Sequence, residues 1–101
     1  MWIFVLFDLP VDTPEARHCY TDFRRFLLDD GFLMLQYSVY ARHAASEENA
    51  LVHAGRVRAN LPPDGEVRIL TITERQFERM QVFHGEIRAA TEAPPEQISF
   101  F

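Results

Sequence analysis

The sequence predicts an α+β sandwich in which two helices cover one face of a single sheet. Three observations lead there. Residues 2–7 form an unbroken run of large apolar side chains, closed by Asp8, Leu9 and Pro10, which is the pattern of a central strand covered on both sides. From Thr13 onward, apolar residues recur at helical spacing. Strand-like and helix-like segments then alternate to about residue 73, in the order strand, helix, strand or strand pair, helix, strand.

Composition bounds the rest. A chain of 101 residues is one domain, and at that size folding buries roughly two-thirds of the unfolded surface. An apolar content of 48% excludes disorder, and no apolar run approaches the ~18 to 20 residues of a membrane helix. The N-terminal run lacks a basic flank and a cleavage site, so it does not read as a secretory signal. Cys19 is the single cysteine, which rules out an internal disulfide and fits a reducing cytoplasm. The net charge of -5 argues against a surface wholly given to nucleic acid, while leaving room for a local patch. All 10 basic residues are arginine. That suits bidentate phosphate contacts and equally suits a GC-rich genome.

The elements follow in order. Trp2 to Phe7 is the central strand, and Asp8 is the first charge on the chain, placed where the strand leaves the core. Open sheets put their chemistry at such carboxyl ends. Thr13 is a helix cap, Pro14 the first helical position and Glu15 a first-turn acid. Ala16, Cys19, Tyr20, Phe23, Phe26 and Leu27 make the apolar stripe, with Gly31 as the left-handed stop. Arg17, His18, Arg24 and Arg25 lie on the other face. Phe32 to Tyr40 is either one bent strand or two strands reversing near Gln36 to Ser38, and periodicity does not choose between them. A second helix over about 46–60 opens at Ser46, Glu47 and Glu48, with Leu51, Ala54, Val57 or Arg58, and Leu61 on its stripe. Leu61 to Gly65 is a sharp turn, and Val67 to Thr73 alternates as a strand. Thr73 to Met80 reads as a short helical turn, Gln81 to His84 as a short extra strand, and 87–101 as a tail docked through Ile98, Phe100 and Phe101.

This order is that of the ferredoxin-like sandwich, βαββαβ, with the short C-terminal strand added and a domain over 1–86. Helices on one face leave the other open, yet Trp2 to Phe7 and Leu33 to Tyr40 are apolar on both faces. A second copy of the chain is the expected cover, giving a homodimer through the sheets.

The strand ending Val5-Leu6-Phe7-Asp8, the helix ending Phe26-Leu27-Leu28 before Gly31, and Gln36-Tyr37-Ser38-Val39-Tyr40 together resemble the CRISPR-associated (Cas) protein two family. Val67-Arg68-Ile69-Leu70 and Thr71 to Phe77 extend the likeness over residues 1 to about 86. The resemblance implies a homodimer whose last strand crosses to the partner. It implies a magnesium-dependent endonuclease of single-stranded RNA or double-stranded DNA with a role in antiviral defence. It also implies a scaffold that bridges the CRISPR integrase subunit and touches the spacer DNA backbone. One departure is Phe7, where the family often has tyrosine.

On that likeness Asp8 is the candidate catalytic residue and ligand of Mg²⁺, an ion that keeps several waters and needs only one or two protein carboxylates. The competing role for Asp8 is a turn residue bonded to nearby amides. Arg17, Arg24, Arg25 and Arg42 are the candidate nucleic-acid-binding residues, extended by His43, against plain surface solubility. Asp12 and Asp22 are explained by capping or solvation. The four histidines lack metal-ligand spacing and read as surface residues. Cys19 reads as a buried structural thiol, and no base is placed for Ser38. Two other classes compete: a toxin-like small ribonuclease of the same fold, and a ferredoxin-like regulatory dimer that binds a small molecule.

Overall fold

A computed structural model describes residues 1–85. The tail expected over 87–101, with Ile98, Phe100 and Phe101, lies outside the described residues. The order is β1 (Trp2–Asp8), α1 (Pro14–Asp29), β2 (Leu33–Gln36), β3 (Val39–His43), α2 (Glu47–Ala59), β4 (Glu66–Ile72) and α3 (Glu74–Glu78). The strands form one antiparallel sheet ordered β2-β3-β1-β4, so β1 is central. This is the expected ferredoxin-like arrangement.

Helix ends follow local chemistry. Thr13 accepts the Ala16 amide at 3.0 Å and Pro14 opens α1. At the other end Gly31 has φ 91°, its amide donates to Leu28, and the Phe32 amide donates to Leu27. That paired closure satisfies two orphan carbonyls and sets Phe32 into the core beside Leu27. Ser46 caps α2 through the Asn49 amide.

Residues that alternate along β1 go to opposite faces. Ile3, Val5 and Phe7 meet Phe23 and Leu27 of α1, Ala50 and Val57 of α2, and Tyr40 of β3 in the core. Trp2, Phe4, Leu6 and Asp8 point to the second face. Across the ladders they lie opposite His43, Ala41 and Val39 on one side and Ile72, Leu70, Arg68 and Glu66 on the other. That face is covered in part from within the chain. Phe77 of α3 stacks on Trp2 and approaches Phe4. Glu74 accepts from the Met1 amino group, Trp2 Nε1 and His43 Nε2, which ties α3 to the ends of β1 and β3. The amino group and then His43 hold the Glu74 carboxyl below its ordinary value.

The structure decides the open choice over 32–40 and differs from three expectations. Phe32 to Tyr40 is two strands, joined by a turn at Tyr37 and Ser38 with a bulge between Met34 and Gln36. Gln81 to His84 is not a strand: Val82 and Phe83 are exposed and the segment joins no ladder among the described residues. The buried stripe of α2 is Ala50, His53, Ala54 and Val57, and Leu51 is exposed. His53 is consequently a core residue. It lies one turn from both Ala50 and Val57, and its Nδ1 meets the Asp30 carboxylate at 2.8 Å, which satisfies the buried ring.

Candidate active site at the end of the first strand

Asp8 is the last residue of β1 and is exposed on the second sheet face. The side-chain bonds of the described residues leave its carboxylate unengaged, so the amide-bonded turn role is not what it does here. The backbone around it is held from both sides. The Phe7 amide donates to the Ser38 carbonyl at 3.1 Å, and Ser38 takes φ 63° to present that carbonyl. On the β4 side Gly65, at φ 91°, lies so close to the Asp8 carbonyl that an added Cβ would stand 2.6 Å from it.

Glu66 is the register partner of Asp8. Directly opposed residues place their Cβ atoms about 4.5 to 5.5 Å apart, where like charges repel. Glu66 is answered by Arg68 Nη1 at 3.1 Å, the next residue on the same face. The sequence reading missed this Glu66 and Arg68 pair. Period-2 alternation of β4 puts both on one face, but only the register with β1 brings them to Asp8.

Phe7 is buried on the helix side, with its ring 5.3 Å from Phe23, 5.7 Å from Tyr40 and 5.9 Å from Tyr20. A tyrosine there would point into the core, on the opposite face from Asp8. The departure at position 7 therefore takes no group from the carboxylate. Tyr37, in the hairpin turn, is exposed and stacks with Tyr20 at 6.3 Å. Its hydrogen bond with Tyr20 holds the Tyr37 phenol above its ordinary value.

The four predicted arginines are not brought to Asp8. Arg17, Arg24 and Arg25 are exposed on α1, the layer that covers the other side of the sheet. Arg17 donates to the Val11 carbonyl at 3.0 Å and braces the turn before the helix. Arg42 lies opposite Ile3 on the helix side, half-buried under Gly31, and donates to the carbonyls of Asp30 and His43. It closes the end of α1 rather than extending a ridge with Arg17, which sits near the start of that helix.

Among the described residues no group of three or more His, Cys, Asp and Glu side chains is placed to hold a metal ion. The donor set that exists is Asp8 with Glu66 opposite, oxygen ligands facing solvent. This suits a hard, water-rich cation such as Mg²⁺ and does not suit zinc. A hollow of about 150 Å³ lies elsewhere, on the helix side, between α1 and the turn at Pro62 and Pro63. Cys19 lines it and is half-buried rather than buried. Among the described residues no helix is long and apolar enough to cross a membrane.

A central strand ending in an open carboxylate, under a two-helix layer, defines a small ferredoxin-like α+β protein with a strand-end acidic site. The sequence profile of the family described as CRISPR associated protein Cas2 matches residues 1–80. The chain is 54% identical over its full length, and over all of the relative's, to a protein of Parvibaculum lavamentivorans named CRISPR-associated endoribonuclease Cas2. It is 45% identical to one of the same name from Flavobacterium psychrophilum, over all of this chain and 88% of that one. The crystal structure of Streptococcus pyogenes Cas2 at pH 6.5 covers 83% of this chain and 100% of its own, with a TM-score of 0.61 and 15% identity. That likeness is one of fold. The chain belongs to the Cas2 family.

Proposed function

We propose that this chain is a CRISPR adaptation protein with metal-dependent endonuclease character, working as a homodimer joined through the second sheet face. The observation that carries the reading is Asp8, an unengaged carboxylate at the end of the central strand in a chain of this family. The names of the relatives support nuclease chemistry on RNA. Support for the dimer comes from Leu33 and Leu70, which leave apolar surface exposed beside the half-buried Leu6, Val39 and Ile72.

In this reading Asp8 of each protomer lies near the two-fold axis, and the two carboxylates would hold Mg²⁺. When bound, the ion activates a water and offsets charge on the scissile phosphate. Asp8 orients that ion. Arg17, Arg24 and Arg25, on the outer layer, hold the backbone of DNA or RNA at a distance from the reacting phosphate, and the same surface serves the bridge to an integrase subunit. Arg42 contributes by fixing the end of α1.

The test is a magnesium-dependent cleavage assay on single-stranded RNA and duplex DNA with Asp8→Ala and Asp8→Asn, after sedimentation has established that both variants are folded dimers. Loss of cleavage in both supports the assignment. Undiminished cleavage by a folded Asp8→Ala dimer removes Asp8 from the mechanism, and a monomer at micromolar concentration removes the paired-carboxylate site.

A further inference from the structure

We propose that Arg68 binds the phosphate at the Asp8 site, donating its guanidinium to the non-bridging oxygens of the phosphate that the carboxylate faces. The proposal rests on the reading of Asp8 given above and adds a residue that touches substrate.

The argument is one of sheet faces. An acidic pair, Asp8 and Glu66, repels a phosphodiester unless positive charge stands beside it, and a cation held by Asp8 leaves Glu66 to be answered by the protein. Arg17, Arg24, Arg25 and Arg42 belong to the helix side of the sheet, and so do Arg56 and Arg58 of α2. Arg75 belongs to α3 and Arg79 caps its end, and that helix is packed at the Trp2 end of β1. Asp8 closes the opposite end of the strand, about 20 Å away at the usual rise per residue.

Arg68 is the arginine that remains among the described residues, and it is placed for the task. It is opposite Leu6 in the β1 to β4 ladder, so it stands diagonally beside Asp8 on the same face. Diagonal neighbours are about 7 to 8 Å apart, within the reach of an arginine. Its side chain is 72% exposed, and one nitrogen, Nη1, is engaged, by Glu66 Oε1 at 3.1 Å. An exposed pair of this kind adds little to stability. It does orient the guanidinium and leaves its other N–H groups as a planar fork, the geometry that matches two phosphate oxygens. Glu66 is then a positioning residue: it cancels its own repulsion of substrate by holding the arginine that attracts it.

The experiment uses the full chain with Arg68→Ala, Arg68→Lys and, as a control on α2, Arg58→Ala. Binding of a short single-stranded RNA is followed against salt, cleavage with magnesium against substrate concentration, and dimer mass by sedimentation. Arg68→Ala is expected to remain a dimer and to flatten the slope of log affinity against log salt by about 0.7, one phosphate contact on a single strand. Its cleavage should fall and recover in part when guanidinium is added. Arg68→Lys should restore the slope, through its charge, without restoring kcat, because the fork is gone. An unchanged slope in folded Arg68→Ala overturns the proposal. So does loss of the dimer, which would make Arg68 a counter-ion of the paired carboxylates, or an equal change in Arg58→Ala. If Asp8→Ala cleaves normally, the Asp8 reading fails by itself and the salt slope still decides Arg68.

Discussion

Trp2 lies flat on Phe77, with ring centroids 3.9 Å apart and planes within 6°. The contact joins the first residue of the central strand to a five-residue helix, an element too short to persist without tertiary support. Glu74 fastens the same helix from its first turn through the Trp2 indole N–H. One end of the second sheet face is thereby closed within the chain, while the Asp8 end stays open. This asymmetry decides where the second protomer and the substrate of the proposed function would have room.

Removing the Phe77 ring should therefore loosen α3 without disturbing the main core. Phe77→Ala is expected to cost less than the roughly 1.5 to 3 kcal/mol of a fully buried large apolar side chain, because the ring is half-buried. Because Trp2 is the single tryptophan, its emission should shift to the red in the variant at temperatures where the far-ultraviolet signal is still native. A native-like emission maximum would place the stack outside the folded state.

Two glycines take left-handed backbone for different neighbours, and their alanine variants should separate. At both Gly31 and Gly65 φ is 91°, which costs an L-residue roughly 1 to 2 kcal/mol. A Cβ at Gly31 would meet Arg42 Nη1 at 2.7 Å, the far end of a flexible side chain. At Gly65 it would meet the Asp8 carbonyl at 2.6 Å and the Leu9 Cα at 3.0 Å, which are backbone atoms. Gly65→Ala should lose more stability than Gly31→Ala in urea melts. It should also impair cleavage, because relief of the clash moves Asp8; equal losses would contradict this account.

Much of the fold was legible because local chemistry and burial agree. Thr13 with Pro14, and Gly31 after Asp30, mark α1 at both ends, and the apolar run before Asp8 marks the central strand. α2 was less legible. Its outer face carries Leu51 and Val52, so no single apolar stripe stands out, and the residue that turns inward is His53, buried because Asp30 of a distant segment meets it. The hairpin is hard to read from the sequence because Ser38 takes left-handed backbone without the glycine or asparagine that signals such a turn. The surroundings of Asp8 were the least legible. Period-2 alternation says which residues share a face within β4, but the register that sets Glu66 against Asp8 is a property of two strands far apart in sequence.

Asp30 ties the two long helices together, and its protonation should be felt in stability. Burial pushes its carboxyl up, but hydrogen bonds from His53 and Arg56 outweigh this and hold it below its ordinary value. A depressed carboxylate contributes stability above its unfolded value, about 3.9 for aspartate, and the contribution disappears as pH falls from there through the folded value. Chemical melts between neutral pH and strong acid should show this loss in the native chain. Asp30→Asn, which loses the charge at every pH, should be weaker by about 1 to 3 kcal/mol near neutrality, and its stability should fall less steeply below pH 4. Parallel acid limbs would remove Asp30 from the acid transition.

The last prediction uses Phe7 to ask which face carries the chemistry. Its ring sits among Tyr20, Phe23 and Tyr40 beneath α1, while the carboxylate of the next residue opens on the other side of the sheet. Phe7→Tyr adds a hydroxyl on the buried side, where it needs a partner or costs about 1 to 3 kcal/mol. The variant should melt no higher than the parent and should cleave with unchanged dependence on magnesium, since no new ligand reaches Asp8. Arg68→Ala, farther from Asp8 than position 7 but on the same face as the carboxylate, should change cleavage sharply. A gain in magnesium affinity with Phe7→Tyr would mean that the strand end turns over in the active protein, and the division of the two sheet faces would no longer describe the site.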